Sequence, residues 1–152
     1  MKFMVSYFYQ VRFMKPNMLP VSTARWDPGW FHQYGGQNKI FRDKNGVLNG
    51  LRADPFAPKP GLGMFCADCT NHEPPCDFLK QYRDQLDKLN FESLMARFER
   101  LAIAAEPMVD GYKEEPIIVL LVHEAPNNPC SERSVLIDYF KDHGVPLPEF
   151  AH

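Results

Sequence analysis

The chain has 152 residues, of which 45% are hydrophobic and 24% charged, as expected for one globular domain spanning residues 1–152. A net charge of −2 argues against broad binding of nucleic acid through its phosphates. No run of 18 apolar residues occurs, and the first residues lack the pattern of a signal peptide, so we expect a cytoplasmic protein without a membrane segment. In that compartment the four cysteines are expected to be thiols or metal ligands and not disulfides.

The first third of the chain contains two extended segments and a turn. Aromatic and branched residues alternate with other residues from Phe3 to Phe13, and this period of two predicts a strand with one buried face. Residues 19–23 form a second short extended piece. Asp27 followed by Pro28 is typical of a turn that opens a short helix, with Asp27 as its N-cap.

Residues 35–76 form a loop-rich insertion with weak periodicity and many prolines and glycines. Asn45-Gly46 indicates a tight turn, and the apolar residues after it indicate a small strand. A segment of this length without regular structure is unusual in a compact domain and is more often functional or cross-linked.

The second half of the chain predicts two helices, a strand and a last helix. Apolar residues share one face over 78–89 and again over 91–101, with a break at Asn90. Residues 116–124 are apolar on both faces, which favours a central parallel strand, and the last helix ends at Gly144. The order β, β, loop, α, α, β, α predicts a small Rossmann-like α/β domain, with a mainly parallel central sheet flanked by helices and a long cysteine/proline-rich loop.

Four spaced motifs of this chain occur together in one known family. They are Pro20-Val21-Ser22-Thr23 with the 26–31 run, the 45–52 segment, the 76–86 segment after the cysteine loop, and the 128–133 segment after the strand that ends in Glu124. With these motifs the chain resembles the bacterial and phage proteins grouped as domain-of-unknown-function family 488. The resemblance implies a Rossmann-like α/β fold and no established reaction. Many members carry Cys-His-Arg at the last helix, whereas this chain has Cys130-Ser131-Glu132-Arg133.

The junction between the 116–124 strand and the last helix is the first candidate site. Ligands of open α/β sheets bind beyond the carboxyl ends of the strands. Glu124 lies at such an end and is a candidate catalytic carboxylate. Cys130 is a second candidate catalytic residue, because a helix N-terminus lowers the pKa of a thiol.

Four further residues are predicted to bind the ligand at this junction. Ser131 and Arg133 lie at the helix N-terminus, which attracts anions, and arginine suits phosphate or carboxylate. Ser22 and Arg25 would complete the pocket if residues 19–23 form the neighbouring parallel strand. A structural role is the alternative, with Ser131 capping the helix and Arg133 paired with a nearby glutamate.

The cysteine loop is the second candidate site. Cys66, Cys69, His72 and Cys76 place four potential zinc ligands within eleven residues. A structural zinc ion there would stabilise the proline-rich loop. Free thiols are the alternative, because a single Cys-x2-Cys pair is a modest signal and His72 lies close to Cys69 in sequence.

An aromatic set at residues 26–34 is the third candidate. Trp26, Trp30, Phe31 and Tyr34 are interleaved with basic residues and could stack on nucleotide rings. Packing in the core is the alternative, because Trp26 and Trp30 are spaced four residues apart, as on one face of a helix.

Three functions remain open from the sequence. The leading hypothesis is binding, with or without processing, of a small phosphorylated or nucleotide-like ligand at the strand-end pocket. One alternative is a protein-interaction module whose surface is the zinc-stapled loop. A further alternative is an N-glycosidase-like hydrolase or transferase acting on a nucleoside or nucleotide, with Glu124 as nucleophile or base.

Overall fold

A computed structural model describes residues 1–34, 39–60, 62, 76–128 and 130–152. Within them the chain folds as a mixed α/β domain. The strands are β1 (Lys2–Tyr7), β2 (Met18–Ser22), β3 (Phe41–Arg42), β4 (Leu48–Asn49), β5 (Leu51–Arg52) and β6 (Ile117–Val122). The α-helices are α1 (Asp77–Asp87), α2 (Phe91–Ala105) and α3 (Arg133–Asp142).

The central sheet has four parallel strands in the order β1–β6–β2–β5. Strand β6 lies between β1 and β2, with Ile117 opposite Lys2 on one side and Met18 on the other. The prediction of a central parallel strand from its apolar sequence is confirmed. The arrangement is consistent with the Rossmann-like fold expected from the order of elements.

The two faces of the sheet are covered differently. Ile118 and Leu120 of β6 belong to the larger hydrophobic cluster, to which all three α-helices contribute. Val119 and Leu121 point to a second cluster formed with residues of the 3-10 helices Phe8–Phe13 and Gly29–His32. Because β6 is buried on both faces, it lacks the alternation of a half-exposed strand.

The first predicted strand is shorter than the sequence pattern indicates. Strand β1 ends at Tyr7, and the chain turns into a 3-10 helix from Phe8 to Phe13. Phe8 and Val11 are buried in the second hydrophobic cluster, three residues apart as on one face of a 3-10 helix. Their packing overrides the alternating pattern.

The loop region contains the predicted turn and a close backbone approach. Gly46 has a φ of 81°, and β3 pairs antiparallel with β4 across the Asn45-Gly46 turn. Gly50 has a φ of 96°, and a Cβ atom there would lie 2.2 Å from the Lys39 carbonyl oxygen. Only glycine fits at residue 50, where the chain passes from the hairpin into β5. Most of the expected cysteine/proline-rich loop, at residues 61 and 63–75, lies outside the described residues.

The helix boundaries are largely as predicted. Asn90 caps α2 by accepting a hydrogen bond from the Ser93 N–H at 2.9 Å, and Gly144 follows α3 with a φ of 78°. Helix α3 begins at Arg133, three residues later than Cys130. In the described part of the chain, no helix is both long and apolar enough to cross a membrane.

Candidate functional site

The candidate site lies at the carboxyl edge of the parallel sheet. Because the four strands are parallel, the residues that follow β1, β6, β2 and β5 come together at this edge. Ser22 ends β2, and Glu124 follows β6 by two residues. The structure therefore places both predicted residues at the same edge, on neighbouring strands.

Glu124 is hydrogen-bonded to a second carboxyl group, that of Glu132. Burial raises the pKa of Glu132 from its ordinary value of 4.5 to about 8, and the negative charge of Glu124 adds to this increase. The positive charge of Arg25 partly opposes it. At neutral pH the pair therefore holds one proton, so one carboxyl group can donate a proton while the other accepts one.

Glu132 is the site residue that sequence reasoning missed. Its sequence position, just before a helix that follows a strand-end carboxylate, was the available signal. The usual interpretation of such a glutamate is stabilisation of the helix N-terminus by its negative charge. The proximity of Glu124 changes that role, because two carboxylates in contact cannot both ionise without a cost.

We predict that Glu132 makes the protein less stable as the pH rises. Between the ordinary pKa of 4.5 and a pH of about 8, Glu132 is protonated in the folded state but ionised in the unfolded state. The free energy of unfolding therefore falls as the pH rises through that window. Between pH of about 5.5 and about 7.5, urea unfolding should show a loss of about 2 kcal/mol in the wild type. Glu132→Gln, which remains neutral, should abolish most of this loss.

Glu99→Gln is the control for that prediction, because Glu99 is exposed on α2. This variant should keep the pH dependence of the wild type. If Glu132→Gln and Glu99→Gln gave the same pH dependence as the wild type, Glu132 would be ionised in the folded protein at neutral pH.

Arg25 acts on the carboxyl pair through its charge and also holds the loop at residues 58–59. Its Nε donates to the Pro58 carbonyl oxygen at 3.0 Å, and its Nη2 donates to that of Lys59 at 2.8 Å. Its charge reaches Glu132. The structure thus brings the predicted Arg25 and the predicted Glu124 together at this edge. Both residues act on the pKa of Glu132.

Tyr82 of α1 lies in the core, within reach of the charge of Glu132. It is fully buried and donates from its hydroxyl to the Phe56 carbonyl oxygen at 2.6 Å. Burial raises the pKa of Tyr82 well above its ordinary value, and the charge of Glu132 contributes. Tyr82 therefore stays neutral within the core.

Ser22 is held in a buried polar cluster around Asp27, which we call the Asp27 cluster (Ser22, Asp27, His32 and Arg52). The Ser22 hydroxyl donates to Asp27 Oδ1, Arg52 Nη1 donates to the same oxygen at 2.6 Å, and His32 Nε2 lies 2.6 Å from Oδ2. Burial tends to raise the pKa of Asp27, but hydrogen bonds from Ser22, Arg52 and His32 outweigh it and lower that pKa.

The Asp27 cluster determines what Ser22 can do. Ser22 is fully buried, and its oxygen also accepts a hydrogen bond from the Ala24 N–H at 3.1 Å. These contacts fix the chain after β2 and give Ser22 a positioning role; its contact with a ligand remains a prediction. Asp27 is not the predicted N-cap, because Pro28 precedes the 3-10 helix and no side chain caps it.

The residues just before α3 form local hydrogen bonds. The Arg133 N–H donates to the Ser131 hydroxyl at 3.1 Å, and the Cys130 N–H donates to Asn128 Oδ1 at 2.9 Å. Ser131 is buried. Glu132, and not Ser131, directly precedes α3, and no side chain caps that helix. The contact of Ser131 with a ligand remains a prediction.

Arg133 pairs with the end of the chain and not with Glu124. Its side chain is 7% exposed, and its Nε donates to Glu149 Oε1 at 2.6 Å. Both terminal nitrogens of Arg133 and the second oxygen of Glu149 are buried without a hydrogen-bond partner among the described residues. The guanidinium lies 5.8 Å from the Tyr7 ring centroid, so it faces the end of β1.

The cysteines divide between described and undescribed residues. Cys130 is disulfide-bonded, which differs from the expected thiol, and a disulfide sulfur is not a nucleophilic thiolate. Cys76 is free and half-buried. Cys66, Cys69 and His72 lie outside the described residues, and the remaining described part of the chain has no group of three metal-ligating side chains. The zinc site and the interaction module built on it therefore stay predictions.

The aromatic set divides between core and surface. Phe31 is fully buried, whereas Trp26 and Tyr34 are 64% and 81% exposed. Trp30 is half-buried and packs edge-on against Phe8 with 6.2 Å between ring centroids. Packing thus explains two of the four residues, and stacking on a ligand remains a prediction for the exposed two.

Comparison with known proteins gives no independent assignment: no family model, curated protein or solved structure matches this chain.

Proposed function

We propose that this protein binds a small phosphorylated or nucleotide-like ligand at the carboxyl edge of the sheet, beside Glu124, Glu132 and Arg25. The observation that carries the proposal is the hydrogen-bonded carboxyl pair, in which Glu132 has a pKa of about 8. Perturbed acidic groups at a strand-end edge are characteristic of sites that bind and process ligands. The proposal also includes three expectations from the sequence: a relationship to family 488, a cytoplasmic location and a zinc ion at residues 66–76.

The chemistry of the three side chains suits different parts of such a ligand. Glu124 accepts hydrogen bonds from the hydroxyl groups of a ribose, and a protonated Glu132 donates one. Arg25 supplies positive charge on the side where a phosphate would lie. A carboxyl pair alone would repel an anion, so the proposal requires that the phosphate lies on the Arg25 side.

The carboxyl pair favours a second candidate function, hydrolysis of an N-glycosidic bond. The acid and base of a glycosidase lie roughly 5–9 Å apart, so a nucleoside would have to enter between Glu124 and Glu132, which are in contact without it. Glu132 would then give its proton to the leaving base as the bond between carbon and nitrogen breaks. Glu124 would take a proton from the water whose oxygen forms the new bond to carbon. The pair then returns to one shared proton after the proton moves from Glu124 to Glu132, so the cycle needs no other reactant.

Titration calorimetry with matched variants tests both functions. The probes are uridine and adenosine, their 5′-monophosphates, and ribose 5-phosphate. We expect at least one probe to bind the wild type and Glu99→Gln equally, and Glu124→Gln more weakly by about tenfold, as for loss of a hydrogen bond to a charged group. Chromatography of the same mixtures should reveal free base if hydrolysis occurs.

Two results would contradict the binding proposal. One is the absence of heat of binding for every probe with the wild type. The other is equal binding to wild type and Glu124→Gln, which would place the ligand elsewhere. Binding without release of base would leave the binding function and remove the hydrolase.

A further inference from the structure

A groove of about 360 Å³ separates α2 from the segment that follows β5. Leu94, Phe98 and Leu101 of α2 form one wall, and Ala53 and Pro55 lie opposite. Leu94 and Phe98 are buried and belong to the larger hydrophobic cluster. The floor of the groove is therefore apolar and held by the core of the domain.

The rim of the groove is positively charged. Arg97 and Arg100 lie three residues apart on α2, both exposed, and Arg52 lies at the opposite side. Arg52 is paired with Asp27 and Asp54. No described residue gives Arg97 or Arg100 a hydrogen bond or an ion pair, and none of the described residues that line the groove is acidic. Two guanidinium groups thus face an apolar groove without a compensating carboxylate from these neighbours.

We propose that this groove binds a small amphipathic carboxylate, with its head group between Arg97 and Arg100 and its apolar chain against Leu94, Phe98 and Leu101. Guanidinium groups bind carboxylates in bidentate geometry, which fixes the head group. The volume lies within the range of small-molecule sites and admits a chain on the order of ten carbon atoms.

The groove combines an apolar floor with two arginines, and neither a purely apolar ligand nor a small anion would satisfy both. A neutral apolar molecule would cover the floor but would leave both arginines without an anion. A small inorganic anion would pair with the arginines but would leave the apolar surface of Leu101 and Ala104 in water, which costs roughly 25 cal/mol for each Å². An amphipathic carboxylate satisfies both, and the site is separate from the Glu124–Glu132 pair.

Titration calorimetry with decanoate, 1-decanol and acetate, each below its aggregation concentration, tests the proposal. Decanoate should bind the wild type, and acetate and 1-decanol should bind more weakly by about tenfold or more. The double variant Arg97→Gln/Arg100→Gln should lose about tenfold or more in affinity for decanoate. Both arginines are exposed, and the thermal unfolding midpoint of the variant verifies that it is folded.

Two further variants separate the groove from general charge effects. Lys80→Gln/Lys141→Gln removes the same two positive charges elsewhere on the surface and should bind decanoate like the wild type. Ala104→Phe keeps both arginines but fills the groove, and should abolish binding. The proposal fails if decanoate does not bind the wild type, if Arg97→Gln/Arg100→Gln binds it equally well, or if 1-decanol binds as tightly as decanoate.

Discussion

Asp27→Ala should destabilise the protein by about 3–4 kcal/mol, as expected when one partner of a buried ion pair is removed. The Asp27 side chain is 4% exposed and receives hydrogen bonds from Ser22 and Arg52 while contacting His32. Its removal leaves the Arg52 guanidinium, which is largely shielded from solvent, without its main counter-ion. The free energy of unfolding in urea at neutral pH measures this loss.

Asp54→Ala is the matched control, because Asp54 also accepts a hydrogen bond from Arg52, at 2.8 Å. Asp54 is 79% exposed, so its loss should cost less than about 1 kcal/mol. The lowered pKa of Asp27 adds a pH signature. The contribution of Asp27 to the free energy of unfolding is complete above the ordinary carboxyl pKa, and it is lost as the pH falls through the lowered pKa of the folded state. Equal effects of the two variants would show that burial does not distinguish the two carboxylates.

Arg133→Ala should cost about 2–4 kcal/mol of stability, because it leaves Glu149 partly buried without its cation. Burial already raises the pKa of Glu149, and the charge of Arg133 and its hydrogen bond oppose that increase. In the variant Glu149 should therefore take up a proton at higher pH than in the wild type. Urea unfolding of Arg133→Ala, Glu149→Gln and the double variant measures the coupling between the two residues.

Arg83→Ala is the comparison for Arg133→Ala. Arg83 also forms ion pairs, with Asp87 and Asp142, but these lie at the surface. Its loss should cost less than about 1 kcal/mol. If Arg133→Ala proved as mild as Arg83→Ala and removed ligand binding, Arg133 would be the anion-binding residue that the sequence indicates.

The elements that the sequence predicts well are those whose burial follows a single period. Strand β6 is apolar at every position and is central, and Asn90 and Gly144 have the capping roles that their residue types favour. The sequence pattern misleads at residues 8–13, where alternation predicts Tyr9 inward and Phe8 outward, whereas the 3-10 helix buries Phe8 and leaves Tyr9 exposed. The local pattern cannot distinguish a strand from a 3-10 helix here, because the second hydrophobic cluster, against which these residues pack, is formed by residues distant in sequence.

The candidate site was only partly predictable for a related reason. Glu124 and Arg25 could be placed because strand ends define the edge of a parallel sheet. Glu132 could not, because its role depends on the direction of one side chain across the start of α3. The ion pair of Arg133 could not be predicted either, since its partner Glu149 lies sixteen residues away and no local pattern joins them.

The last residues of the chain form an additional strip of backbone alongside β1. The Val5 N–H donates to the Pro148 carbonyl oxygen at 2.9 Å, the Phe150 N–H donates to that of Val5 at 2.8 Å, and the Ser6 hydroxyl donates to that of Phe150. An uncovered edge strand is a template for pairing with another chain. The strip covers the middle of that template, at Val5 and Ser6, and on the other side of the sheet β5 is only two residues long. The sheet therefore offers little backbone for growth in either direction, which protects an otherwise strongly apolar parallel sheet from joining edge to edge with other copies.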